Sequence, residues 1–167
     1  EGRKESVEGA DARVVVHCRL GDYLWPRASS RYGVLSWAYY VAALADIGSG
    51  QIVVMTDDSK ALLRVYPNMR QLAPKFDQPR STLGGFSAMF DSMGLVAANS
   101  TYSLWAAWLR RQLRTTAPTA SPSRIYLRHP SPEVAGLGSI EATFVDPVAL
   151  TFRHPWVLTR RLRWSAR

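Results

Sequence analysis

Three short polar stretches of this 167-residue chain hold residue types that bind or move charge: His17-Cys18-Arg19-Leu20-Gly21-Asp22-Tyr23, Asp57-Asp58-Ser59 and Asn99-Ser100-Thr101-Tyr102-Ser103. In the first, the Arg19 guanidinium is a permanent cation whose planar fork matches phosphate oxygens, His17 is a donor or an acceptor, and Gly21 permits close backbone approach. The plainer account of the same residues has Arg19 paired with Asp22 and His17 satisfied in a core. In the second stretch, one aspartate can cap a helix while the other accepts hydrogen bonds from a ribose or from the N–H edge of guanine. Capping alone also explains an acidic pair there, and no further acid lies close in sequence to complete a metal site. In the third, the free backbone N–H groups of a helix start and the hydroxyls of Ser100, Thr101 and Ser103 make a seat for phosphate, with Asn99 or Ser100 alternatively a simple cap.

Each stretch must be held by an element, and the hydrophobic pattern supplies one. Arg13 to Cys18 (RVVVHC) and Gln51 to Thr56 (QIVVMT) are short β-branched runs without alternation, the pattern of strands buried on both faces of a parallel sheet. A polar loop is expected through Arg31, then a helix over Trp37 to Asp46 capped by Ser36 and stopped by Gly48 and Gly50. Lys60 to Tyr66 reads as a short helix closed before Pro67, and Phe86 to Met93 as another. Leu95 to Ala98 reads as a third strand and Ser100 to Arg114 as an amphipathic helix, with Leu104, Trp105, Trp108 and Leu109 on its buried face. Thr115 to Ser123 (TTAPTASPS) is expected as a separating loop and plausible hinge, followed by a strand over Arg124 to Leu127. Strands alternating with helices at this spacing imply an α/β fold with a Rossmann-like parallel sheet and flanking helices. All three polar stretches then fall at the carboxyl ends of strands, where such sheets bind ligands.

Composition narrows the classes. No apolar run approaches the ~18 residues of a membrane span, and residues 1–12 lack the apolar core of a signal peptide, so a cytoplasmic or membrane-peripheral location is expected. Cys18 is the only cysteine, which excludes an intramolecular disulfide framework. The net charge of +8 is uneven: residues 1–91 carry 11 basic and 10 acidic side chains, residues 92–167 carry 10 and 3. Arg110, Arg111 and Arg114, with Arg160, Arg161, Arg163 and Arg167 beside Trp156 and Trp164, support a competing reading as a basic module for nucleic acid or an anionic membrane. No recognised nucleic-acid motif is present, and helix-end arginines are also where the macrodipole favours cations.

Taken in order, four segments resemble the donor-binding half of the α-1,2-fucosyltransferases of glycosyltransferase family 11. HCRLGDYL matches that family's His-x-Arg-Arg-Gly-Asp-Tyr at His17, Arg19, Gly21, Asp22 and Tyr23, with Leu20 in place of the second arginine. YGVLSWAYYVAAL (Tyr32 to Leu44) resembles the segment leading into a helix with paired tyrosines, and MTDD (Met55 to Asp58) its Ser/Thr-Asp-Asp motif. AANSTYSLWAAWL (Ala97 to Leu109) resembles Asn-Ser-Thr-Phe-Ser-Trp-Trp-Gly-Ala-Trp-Leu, with Tyr102, Leu104 and Ala106 departing. The matches span residues 13 to 109, and none is clear beyond 130.

The resemblance implies the C-terminal, donor domain of a GT-B fold. It implies transfer of L-fucose with inversion from GDP-β-L-fucose to the 2-hydroxyl of a galactoside in a glycan or surface polysaccharide, with no metal or other cofactor. Arg19 would hold the diphosphate, with His17 and Asp22 near the phosphates or the reacting sugar. Gly21, Asn99, Ser100, Thr101 and Ser103 would shape the phosphate seat, and Asp57 or Asp58 would hold guanosine. No residue is assigned as general base. In that family a whole domain precedes the first motif, so the resemblance implies a fragment, a truncated product or a minimal form holding only the donor half. The expected organisation is a lead-in over 1–12, a donor-binding domain over 13–130 and a basic extension over 131–167.

Overall fold

A computed structural model describes residues 13–72, 74–77, 79, 81–113, 118–122 and 139–140. The two β-branched runs form strands with the expected bounds, β1 (Arg13–Cys18) and β2 (Gln51–Thr56), paired in parallel from Arg13 opposite Gln51 to Cys18 opposite Thr56. β3 (Lys75–Asp77) lies outside β2, while β4 (Gly94–Val96), β5 (Thr119–Pro122) and β6 (Ser139–Ile140) extend the sheet from the other side of β1. Every pairing is parallel, and the order is β3-β2-β1-β4-β5-β6. The chain therefore builds outward from β1 in one direction and then returns to build in the other. That reversal opens a crevice at the carboxyl ends of β1 and β4, the place where doubly wound sheets bind ligands. The α/β Rossmann-like class expected from the sequence is the one observed.

Helices cover both faces of the sheet. Alternation along β1 sends Val14, Val16 and Cys18 into a core shared with α2 (Trp37–Ile47) and α3 (Ser59–Val65), through Tyr39, Tyr40, Ala43, Ala61 and Leu62. Val15, with Val53 and Met55 of β2, packs on the opposite face against Met89 of α4 (Thr82–Asp91) and Ala106 and Ala107 of α5 (Thr101–Leu113). Ser36 caps α2 by accepting the Tyr39 N–H at 3.4 Å, and the helix ends at Gly48, whose φ of 90° suits a residue without Cβ. No described helix is long and apolar enough to cross a membrane.

Four expectations are corrected. The stretch before Arg31 is not a loop: Gly21–Leu24 is a 3-10 turn and α1 (Pro26–Tyr32) a helix, because Pro26 presets φ at its first position and Gly33 ends it. α4 starts at Thr82 rather than Phe86, since Ser81 caps it and packing of Met89 offsets the cost of Gly84 and Gly85. Within Thr115 to Ser123, residues 119–122 are strand β5: parallel pairing to β4 needs only backbone groups, and the small Ala120 is fully buried. Trp105 and Trp108 are not on the buried face of α5, being 58% and 41% exposed. The buried positions are Ser103, Leu104, Ala106, Ala107 and Arg110, with the small Ala106 and Ala107 packed in the core that Met89 of α4 also enters. The strand expected over Arg124 to Leu127 and the arginines from Arg114 onward lie outside the described residues.

Candidate active site

A cavity of about 480 Å³ opens at the β1–β4 reversal, and all three polar stretches reach it. His17 and Arg19 come from the end of β1, Thr56 and Asp57 from the end of β2, and Ser100, Thr101 and Tyr102 from the start of α5. Opposite them stand Pro79, Ser81 and Thr82 at the start of α4, with Tyr23 and Met55 completing the wall. The α4 side was not foreseen. Its one legible signal was Ser81, a good cap residue that accepts the Gly84 N–H at 3.0 Å.

Arg19 is held by two carboxylates. Its Nη2 lies 2.5 Å from Asp22 Oδ1 and its Nη1 2.8 Å from Asp57 Oδ2, and the guanidinium carbon sits 5.3 Å from the centre of the Tyr23 ring. Asp57 is fixed in turn by the Leu20 N–H, which donates to its Oδ1 at 2.8 Å. Gly21 is required beside it, since a Cβ there would strike the Asp57 carboxylate. Asp58 is the cap: its Oδ1 accepts the Ala61 N–H at 2.9 Å and starts α3. The division of labour within the pair is thus visible, with Asp57 facing the cavity and Asp58 turned to the helix.

His17 is 6% exposed, and its ring meets that of Tyr102 edge-on at 5.8 Å. Burial, reinforced by the Arg19 charge, lowers its pKa to about 4, so the imidazole is neutral at pH 7 with one donor and one acceptor nitrogen. Nδ1 is buried and has no hydrogen-bond partner among the described residues, while the residue itself lines the cavity. A buried polar atom without a partner costs free energy.

Two helix N-termini converge here. Of the first-turn amides, Gly84 N–H is taken by Ser81 Oγ and Ser103 N–H by Ser100 Oγ, which leaves those of Thr82, Leu83, Thr101 and Tyr102 without an intrahelical acceptor at the positive ends of the two helix dipoles. The Tyr102 hydroxyl ties the two starts together by donating to the Thr82 carbonyl. Helix starts of this kind seat anions, and Arg19, whose charge two carboxylates share, stands beside them.

The remaining expected site residues support the wall from behind. Asn99 is buried and donates its amide to the Tyr32 carbonyl, leaving Oδ1 without a partner among the described residues. Ser103 is fully buried, its Oγ accepting the Ala98 N–H at 3.1 Å, which pins the end of β4 to α5. Cys18 lies in the opposite core, where burial pushes its thiol up to about 12 and keeps it protonated. Among the described residues no three His, Cys, Asp or Glu side chains converge as metal ligands would.

Arg110 has a different setting from the one its helix-end position suggested. It is fully buried at the far end of α4, where Nη1 donates to the carbonyls of Met89 (3.0 Å), Phe90 (2.7 Å) and Ser92 (2.8 Å). Nε reaches Thr119 Oγ1 at 3.2 Å, which holds β5 to α5. It contributes no charge to a basic surface.

No protein-family model matches the chain. The O-antigen biosynthesis glycosyltransferase WbnK of Escherichia coli is 35% identical over 104 residues, covering 56% of this chain and 33% of that protein. The chain thus spans about a third of the length of the curated relative it matches. Among solved structures, the crystal structure of POFUT1 in complex with GDP aligns with a TM-score of 0.45 at 14% identity, over 66% of this chain and 42% of that one.

Proposed function

We propose that this chain is the donor-binding part of a glycosyltransferase, and that the donor is GDP-β-L-fucose. The observation that carries the reading is the convergence of Arg19, neutral His17 and the starts of α4 and α5 on one cavity at the sheet reversal. A sugar nucleotide carries a diphosphate next to hydroxyl-rich groups. The cation and the helix dipoles suit the first, and an unpartnered neutral imidazole suits the second. The glycosyltransferase relative and the four family 11 motifs support the same class, and the motifs are what favour fucose and an α-1,2 linkage to a galactoside.

In this reading the chemistry is assistance to a leaving group. As the bond from the anomeric carbon to the diphosphate breaks, negative charge grows on the departing nucleotide. Arg19 and the uncapped first-turn amides of α4 and α5 border the cavity and would stabilise that charge, once the guanidinium exchanges part of its carboxylate pairing for the diphosphate. His17 would hold a hydroxyl of the donor, and Asp57 or Asp58 would contact guanosine, with Asp57 the better placed because Asp58 is committed to its cap. The partners are GDP-fucose and a galactoside-bearing glycan.

Calorimetric titration of GDP-fucose, GDP and UDP into the wild type and Arg19→Ala tests this. GDP ligands are expected to bind in preference to UDP, and Arg19→Ala to weaken them about ten-fold or more. Equal affinity in both proteins would remove Arg19 from the site.

A further inference from the structure

The cation that a diphosphate would need is already shared by two carboxylates, and these two are not equivalent. Asp57 is 24% exposed, accepts the Leu20 N–H as well as Arg19, and is confined by the backbone at Gly21. Asp22 is 50% exposed on the 3-10 turn Gly21–Leu24, and among the described residues its carboxylate has no partner besides Arg19. The cavity is lined by Arg19 and Asp57 but not by Asp22. A ligand in the cavity thus approaches a guanidinium whose Nη2 edge is taken by a loosely anchored, solvent-facing anion.

We propose that Asp22 competes with an anionic ligand for Arg19 and is displaced from the guanidinium when a diphosphate binds, whereas Asp57 stays and holds Arg19 in register. The inference rests on reading the cavity as a diphosphate site. The asymmetry follows from what each displacement leaves behind. Releasing Asp22 returns a half-exposed carboxylate to water, which solvates it well, and exposed ion pairs are weak because water screens both charges. Releasing Asp57 would strip the Leu20 N–H of its acceptor. A diphosphate meanwhile gains the Arg19 fork together with two helix N-termini, which Asp22 does not reach from its turn. Asp22 therefore sets a threshold: monoanions too weak to displace it are excluded, and ligands that bring two adjacent phosphates pass.

The two aspartates then have opposite signatures, which calorimetry reads directly. GDP, and inorganic pyrophosphate in parallel, are titrated into the full chain and its Asp22→Asn, Asp57→Asn, Arg19→Ala and Arg19→Ala/Asp22→Asn variants at ~0.3 M salt, where the screening length is roughly 5–6 Å. Asp22→Asn is expected to tighten both ligands about two- to five-fold, the range set by the worth of an exposed ion pair. Asp57→Asn is expected to weaken them about three-fold or more by loosening the guanidinium. The gain from Asp22→Asn should vanish in the Arg19→Ala background, because the latch acts only through Arg19. Unchanged or weaker binding in Asp22→Asn overturns the latch, as does a gain that persists without Arg19, which would be plain charge repulsion. If neither ligand binds the wild type, the diphosphate reading falls and the latch with it. If both bind and only the Asp22 pattern is missing, the latch alone falls.

Discussion

The two ends of the sheet each hold an arginine, and the same side chain does opposite work at them. At the carboxyl end, Arg19 is 35% exposed and paired with two carboxylates at the wall of an open cavity. At the amino end, Arg110 is fully buried and spends its donors on carbonyls at the close of α4 and on the start of β5. Those carbonyls are the last of a helix, which have no intrahelical partner, so Arg110 supplies the donors that water would otherwise supply. A charge whose donors face backbone closes a fold, whereas one whose partners are side chains at a cavity can exchange them for a ligand. Counting arginines does not separate the two roles.

The sharpest way to break this contrast is to compare their removal. Arg110→Met is expected to cost about 3–5 kcal/mol in urea unfolding, because several buried carbonyls lose their donor at once. A cost below about 1 kcal/mol would show that water reaches those carbonyls and that the amino end is not sealed. The next effect concerns pH. His17 sits at about 4 in the fold against 6.5 for an unperturbed imidazole, so the unfolded chain binds its proton first as pH falls. Stability is then complete above pH 6.5 and lost progressively down to about 4, by on the order of 3 kcal/mol, while the permanently charged Arg110 adds no slope. His17→Gln should flatten the melting temperature over that window, and an unchanged slope would place the acid sensitivity elsewhere.

Arg19→Ala belongs lower on the stability scale, with an expected loss under about 1 kcal/mol beside its roughly ten-fold loss of GDP affinity. If it destabilised the fold as much as Arg110→Met, the two ends would be alike. Asp58→Ala should cost about 1 kcal/mol through its cap and leave nucleotide affinity within two-fold, which separates it from Asp57. The smallest effect is on Cys18, whose thiol should resist alkylation in the folded protein and react on unfolding. Rapid labelling of native protein would mean that the core under α2 opens readily.

Much of the carboxyl end was legible because it depends on local chemistry. The β-branched runs at Arg13–Cys18 and Gln51–Thr56 admit little besides buried strands, and a polar stretch following each must lie at its carboxyl end. The Ser36 cap and the role of Asp58 or its neighbour as a cap were also local matters, readable from residue type and position. The α4 wall was less legible, since Gly84 and Gly85 weaken a helix that packing sustains. β5 was hidden for a related reason: Thr119, Ala120, Ser121 and Pro122 have no strand character until β4 offers them an edge.

By itself the sequence determined the alternation of strands and helices, and with it the Rossmann-like class and the gathering of three polar stretches at strand ends. Those features follow from periodicity and capping, which act over a few residues. Only the tertiary structure decided which side of each stretch faces the cavity, which arginine is buried, and which tryptophans are left in solvent. Such outcomes depend on groups far apart in the chain: Asp57 against Arg19, the Thr82 carbonyl against Tyr102, and the end of α4 against Arg110. Burial and electrostatics are set by what closes over a residue, and no local pattern carries that information.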